Sequence, residues 1–216
     1  MRQLIGSAEC FEFFIGTLQS ITVGCDIGDV IHNDGNMIDL GTLGGNNSEG
    51  HAINDSGQVA GDSSVTIPGH SKHAFVTDSE NNLMDLGTLG GSWSNALGIN
   101  NHGQVTGMSM TANNEIHSFV TDIDDGSLID IGTLGGNLSY SYAINDSGRA
   151  VGFSKTSVSS DPYHAFLWDP LEGMLDLGDL VQDLSFEWDY LGRANGINNS
   201  GQIVGPGITK TGERHA

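Results

Sequence analysis

Apolar positions along this chain come in short runs set off by clusters of Asp, Asn, Ser and Gly, and no stretch sustains a helical period. His73-Ala74-Phe75-Val76-Thr77 is followed by the polar segment Asp78 to Asn82 and then by Leu83-Met84-Asp85-Leu86. Two apolar runs across such a turn predict a β-hairpin. After Gly90-Gly91, the run Ala96-Leu97-Gly98-Ile99 meets Asn100-Asn101-His102-Gly103 and then Gln104-Val105-Thr106-Gly107. Asn at the start of the turn and Gly at its end predict a type I turn closed by a left-handed glycine, and so a second hairpin.

The same pattern returns about every 46 residues. Asp39-Leu40-Gly41-Thr42-Leu43-Gly44-Gly45 recurs as Asp85 to Gly91, as Asp130 to Gly136, and in decayed form as Asp176-Leu177-Gly178-Asp179-Leu180. Ala52-Ile53-Asn54-Asp55-Ser56-Gly57-Gln58-Val59-Ala60-Gly61 recurs from Gly98, Ala143 and Gly196. A fixed period of this length means one supersecondary unit copied in series, each copy burying its apolar face against its neighbours. Each copy supplies four short strands, with complete units at about 47–86, 92–131 and 137–177.

The strand before the Asn turn carries only small residues on one face: Ala52 and Gly50, Gly98 and Ala96, Ala143 and Ser141, Gly196 and Ala194. Such a face predicts close approach to a neighbouring backbone, as at the innermost strand of a ring of blades. The expected fold is therefore all-β, a β-propeller-like array of about four four-stranded antiparallel blades spanning 29–216, with a β-solenoid or a piece of a larger propeller as alternatives. Half-units at 30–40 and 191–205 would close a ring of four if they paired with each other. The His-Ala-Phe phrase, however, is missing before Val30 and the sequence stops within it at His215-Ala216. That broken phase predicts a longer array and exposed strand edges that could drive oligomerisation. Residues 1–28 fall outside the pattern and are expected to be weakly ordered.

Composition narrows the partners. Acidic residues number 27 against 7 Lys and Arg, a formal net charge of −20. That field repels phosphate backbones and anionic membranes, which argues against nucleic-acid binding. No apolar run reaches membrane-spanning length. Cys10 and Cys25 lie outside the repeats and provide no disulfide framework. The stretch from Arg2 to Val23 is faintly like a signal peptide, but Glu9 and Glu12 interrupt it and no small-x-small cleavage site follows.

The two phrases, His-Ala-Phe leading into Asp-Leu-Gly-Thr-Leu-Gly-Gly, then Ala-Ile-Asn-Asp-Ser-Gly-Gln-Val-Ala-Gly, resemble those of the HAF repeat family of bacterial, often extracellular repeat proteins. The resemblance covers about residues 30–216. It implies a repeat architecture and frequent export, and no enzymatic activity common to the family. An extracellular or cell-surface location is the resulting expectation, with a cytoplasmic one left open by the poor leader.

Recurring residues read as scaffold. His73, His117 and His164 open the third strand of each unit and are expected to bond a neighbouring blade. Asp39, Asp85, Asp130 and Asp176 are expected to accept hydrogen bonds from loop N–H groups. Asp122, Asp124 and Asp125, dense in carboxylates beside Gly126, are the best local calcium candidates, although the spacing departs from an EF-hand and the segment also fits a hairpin turn. No nucleophile elbow, zinc-protease motif or phosphate loop occurs. A glycosidase carboxylate pair stays open among so many acids.

The copies differ after Gly-Gly, where Trp93, Tyr140, Trp188 and Tyr190 fall. If these segments share one rim, the aromatics form a surface for sugars or extended peptides, by stacking and hydrogen bonding; otherwise they staple adjacent units. The sequons, such as Asn54-Asp55-Ser56, follow from the turn phrase itself. The resulting expectation is a non-enzymatic scaffold for a protein or carbohydrate partner. The alternatives are a calcium-dependent carbohydrate-binding protein or glycan-active enzyme using the rim, and a fragment without independent function.

Overall fold

The computed structural model describes residues 12–14, 20–22, 29–31, 37–157, 163–181 and 188–216. The leader-like segment, Cys10 and Cys25 lie outside these residues, apart from the backbone of a short hairpin formed by β1 (Glu12–Phe14) and β2 (Ser20–Thr22). A second hairpin, β3 (Asp29–Ile31) with β4 (Met37–Asp39), precedes the repeats.

The fold is all-β, as the pattern predicts. Unit one comprises β5 (Gly44–Ile53), β6 (Val59–Val65), β7 (Lys72–Thr77) and β8 (Leu83–Gly87). Unit two comprises β9 (Gly90–Ile99), β10 (Val105–Thr111), β11 (Ile116–Thr121) and β12 (Leu128–Gly132). Unit three comprises β13 (Gly135–Ile144), β14 (Ala150–Thr156), β15 (His164–Asp169) and β16 (Gly173–Asp176). Each is an antiparallel meander, and the three join into one mixed sheet of twelve strands. The joints are parallel: Lys72 of β7 pairs with Trp93 of β9, and Ile116 of β11 with Leu138 of β13.

The units begin earlier than the sequence suggests. The segments after Gly-Gly are the first halves of β5, β9 and β13, not loops. Gly44, Gly90 and Gly135 have φ near +100° (98°, 94° and 100°), so a left-handed residue turns the chain directly into the strand. In the second strands, a Cβ on Gly61, Gly107 or Gly152 would fall inside the carbonyl of Glu49, Asn95 or Tyr140 respectively. The first strand is bulged there, with its register shifting between Gly50 and Ala52 and between Ser141 and Ala143.

The cores lie between units. Ala60 and Ala74 of unit one pack with Ala96, Val105 and Phe119 of unit two; Val120 and Ile131 pack with Ile144, Ala150 and Phe166 of unit three. Phe75, Phe119 and Phe166, from the His-Ala-Phe phrase, are fully buried, each worth about 1.5–3 kcal/mol. The single small face expected for the first strand is split by this bulge: Ala96 pairs with Gly107 and packs on Ala60 and Ala74 of unit one, whereas Gly98 pairs with Thr106 and a Cβ on it would meet the Tyr142 carbonyl and Ala143 of unit three. The expected close approach of neighbouring backbones is present on that second side.

An asparagine ladder runs the length of the array. The Asn54 side-chain amide donates to the Asn100 main-chain carbonyl (3.0 Å), Asn100 to Asn145 (3.0 Å) and Asn145 to Asn198 (3.1 Å). Each side-chain oxygen accepts two N–H groups of its own turn, as Asn100 does from His102 (3.0 Å) and Gln104 (2.9 Å). Buried serines add a second seam. Ser94 and Ser139 accept N–H groups of Ala74 and Ser118, each in the preceding unit, and donate to the carbonyls of Gly87 and Gly132.

A partial fourth unit follows. Its first strand is split into β17 (Trp188–Leu191) and β18 (Gly196–Ile197), its second into β19 (Ile203–Val204) and β20 (Gly207–Thr209), and its third is β21 (Arg214–His215). The four-stranded blade expected from pairing 30–40 with 191–205 is not formed. β20 pairs with β17 and β21, so the chain's own third strand takes the place that β3 would need. The decayed phrase forms α1 (Leu177–Leu180), the one helix among the described residues. Asp179-Leu180-Val181-Gln182 stand where the other copies have Thr-Leu-Gly-Gly, so Val181 replaces the left-handed glycine that starts a strand elsewhere. The described helix is too short and polar to cross a membrane.

Candidate functional site

The recurring histidines and aspartates make one repeated contact. His73 Nδ1 lies 2.8 Å from Asp85, His117 Nδ1 2.9 Å from Asp130, and His164 Nδ1 2.6 Å from Asp176. The expected bond to a neighbouring blade is thus replaced by one inside the unit, because the hairpin of third and fourth strands brings the two residues together. The other expectation holds for the aspartates: Asp39, Asp85, Asp130 and Asp176 each accept an N–H from the glycine two residues on, at 2.8 Å. In unit one, His70 Nδ1 extends the chain to His73 Nε2 at 2.8 Å.

Asp122, Asp124 and Asp125 lie in the exposed turn between β11 and β12. Asp122 accepts the Asp124 N–H and Asp125 the Ser127 N–H, both at 2.8 Å. Hydrogen bonds from Ser127 hold the Asp125 carboxyl below the usual carboxylate range. Among the described residues, the group whose ligand atoms lie within 4.8 Å of one another is instead Glu49, His51 and Asp62. There the Lys72 ammonium already stands 3.2 Å from Asp62, supplying the positive charge a cation would bring.

Those four residues mark a set of positions sharing one side of the sheet. Directly paired residues point to the same face, and Glu49 pairs with Asp62 as Asn95 does with Met108 and Tyr140 with Phe153. Across this face the units diverge completely. Unit one shows Glu49, His51, Asp62 and Lys72, whereas unit two shows Asn95, Leu97, Met108 and Ile116. Unit three shows Tyr140, Tyr142, Phe153 and Tyr163, and the fourth shows Arg193, Asn195, Pro206 and Arg214.

In unit three these side chains form an aromatic cluster whose rings meet at interplanar angles of 42° to 67°. The Phe153 ring lies 4.9 Å from Tyr140, 5.9 Å from Tyr142 and 4.8 Å from Tyr163, and the Lys155 ammonium stands 5.7 Å from the Tyr163 ring centroid. Burial, followed by the neighbouring Tyr142 and Tyr163, pushes the Tyr140 hydroxyl above its ordinary range.

A recess opens where unit three meets the fourth. The parallel pairing of β7 with β9 and of β11 with β13 has no counterpart between β15 and β17 among the described residues. The two sheets part there around a cavity of about 290 Å³ lined by Tyr163, Tyr190, Arg193, Pro206, Ile208 and Arg214. The inner strands stay joined through the Ala194 N–H and Gly152 carbonyl, 3.0 Å apart.

Of the four aromatics singled out in the sequence, Tyr190 lines this recess and Tyr140 stands in the aromatic cluster that leads to it through Phe153 and Tyr163. Trp188 lies against the Gly207 backbone, 6.1 Å from the His215 ring. Trp93 lies at the joint between units one and two, paired with Lys72 and two joints from the recess. Tyr163, Arg193 and Arg214 escaped the sequence reading. Their signal was positional: Tyr163 and Arg214 both immediately precede the third-strand histidine, where Lys72 and Ile116 stand in the other units. In comparisons with known proteins, no family model matches the chain and no curated protein matches it.

Proposed function

We propose that this chain is a non-catalytic repeat scaffold of the HAF kind, its units arranged as successive blades of a propeller-like array, that holds a glycan outside the cell. The observation that carries the reading is the recess between units three and four, walled by Tyr163 and Tyr190 and continued by the aromatic cluster of Phe153, Tyr140 and Tyr142. Tyrosine rings offer flat apolar faces to the C–H faces of a sugar, and their hydroxyls reach its hydroxyl groups. The scaffold supports this division of labour. Residues common to the units are consumed in the ladder, the serine seam and the His-Asp bonds, while the face positions differ in every copy. The propeller reading rests on the size of the four-stranded unit and the close approach of successive first strands. The location rests on the resemblance of the phrases alone.

The test is glycan-array screening of the purified chain followed by titration calorimetry on the strongest hit, with Tyr163→Ala and Tyr190→Ala compared against wild type. Each variant is expected to weaken binding about tenfold or more; Tyr163→Ala should leave the melting temperature close to wild type, because Tyr163 is 45% exposed, and half-buried Tyr190 should cost somewhat more. Unchanged binding in both variants would show that the recess is not the site. Small-angle scattering tests the arrangement: a curved, ring-like envelope is expected, and a straight rod would favour a solenoid.

A further inference from the structure

The recess is also where the charge of the molecule inverts. Resting on the reading above, that the recess holds a sugar, we infer that this sugar carries a carboxylate: a uronic-acid residue of a short oligosaccharide. Acidic residues outnumber Lys and Arg 27 to 7 in the chain, yet residues 188–216 carry Arg193, Lys210 and Arg214 against only Asp189 and Glu213. Two of those arginines line the recess together with the two tyrosines. Neither Arg193 nor Arg214 forms an ion pair with a described carboxylate, although Arg149, in unit three, does so with Asp169 at 2.7 Å.

The guanidinium group is a planar fork of donors that matches a carboxylate in bidentate fashion. A pyranose ring against tyrosine faces, with a carboxylate projecting from its edge, presents both halves of what the walls offer. The volume of about 290 Å³ admits one sugar ring, so recognition falls on a single residue. The remaining surface selects for length. The net charge of −20 acts over about 8 Å at physiological salt, so a long polyanion leaving the recess is repelled by the rest of the array. A short acidic glycan is not.

The experiment is calorimetric titration of the full chain with digalacturonate and with its neutral counterpart galactobiose, at low and high sodium chloride, for wild type and for Arg193→Gln/Arg214→Gln. Both arginines are exposed, so the variant is expected to melt as wild type does. The acidic disaccharide is expected to bind about tenfold or more tightly than the neutral one at low salt. That preference should shrink at high salt and vanish in the double variant. Equal affinity of the two sugars for wild type would overturn the inference while leaving the glycan reading standing. Binding of neither would overturn the inference, while the array screen decides the glycan reading separately. A preference that survives in the double variant would overturn the assignment to these arginines.

Discussion

Replacing Asn100 by Ala removes a rung in the middle of the ladder. Asn100 is 3% exposed; its oxygen accepts the N–H groups of His102 and Gln104, and its amide donates to Gln104 Oε1 and to the Asn145 carbonyl. The truncation leaves three main-chain groups without that partner, two donors and one acceptor. At about 1 kcal/mol each, the loss is about 3 kcal/mol, or about 6–12 °C in melting temperature for a chain of this size.

Asn198 makes the equivalent bonds to its own turn, from Ser200 and Gln202 and to Gln202 Oε1, but is exposed and has no onward partner among the described residues. Asn198→Ala should therefore cost clearly less, by about 1–2 kcal/mol. Urea unfolding followed by tryptophan fluorescence measures both, since Trp93 reports on unit two and Trp188 on the fourth unit. Equal losses for the two variants would refute the claim that the bond between units, rather than the turn alone, accounts for the difference.

Three further outcomes follow from other parts of the scaffold. Gly107→Ala should unfold the chain or lower its stability by several kcal/mol, because its Cβ would occupy the Asn95 carbonyl. Gly126→Ala, with open space around its Cβ and φ of +74°, should cost only about 1–2 kcal/mol, and thermal melts compare the two. The Leu171 N–H and then Arg149 hold the Asp169 carboxyl below its ordinary value. The unfolded state binds the proton more readily, so the stabilisation is present above about pH 3.9 and fades as pH falls through the lower folded value. Asp169→Asn should accordingly melt below wild type at pH 7, and the two should converge in acid. Ser94→Ala should be costlier than Ser92→Ala in chemical denaturation, because Ser94 is fully buried between units and Ser92 is not.

The architecture of the unit was legible because its determinants are local and repeated. The Asn-x-x-Gly turn and the apolar run of the His-Ala-Phe strand each predict their own conformation, whereas the bulge of the first strand, which divides its small residues between two faces, is set by pairing with the second strand. What escaped the sequence depends on pairing. That the stretch after Gly-Gly is strand, and not loop, follows from φ at Gly44, Gly90 and Gly135, and from close packing of the second glycine on Ser64, Met110 and Lys155. The partner of His73 is a residue 12 positions away, fixed only once the hairpin register is known. The recess was hidden for a further reason. Its walls come from β15 and the fourth unit, and it opens because one parallel pairing, formed twice elsewhere, is absent at that joint.

The ladder also gives the array a direction of inheritance. Each Asn amide reaches the same atom of the following copy, over spacings of 46, 45 and 53 residues, so the bond ignores how much chain lies between as long as the phase is kept. A gene that gained or lost one whole copy by unequal crossing-over would leave every rung closed, and the spacing of 53 shows that extra residues between two turns leave their rung closed as well. Copy number in such a protein is thus a quantity that recombination can change in a single event, and the diverging face gives each new copy a surface on which selection can act.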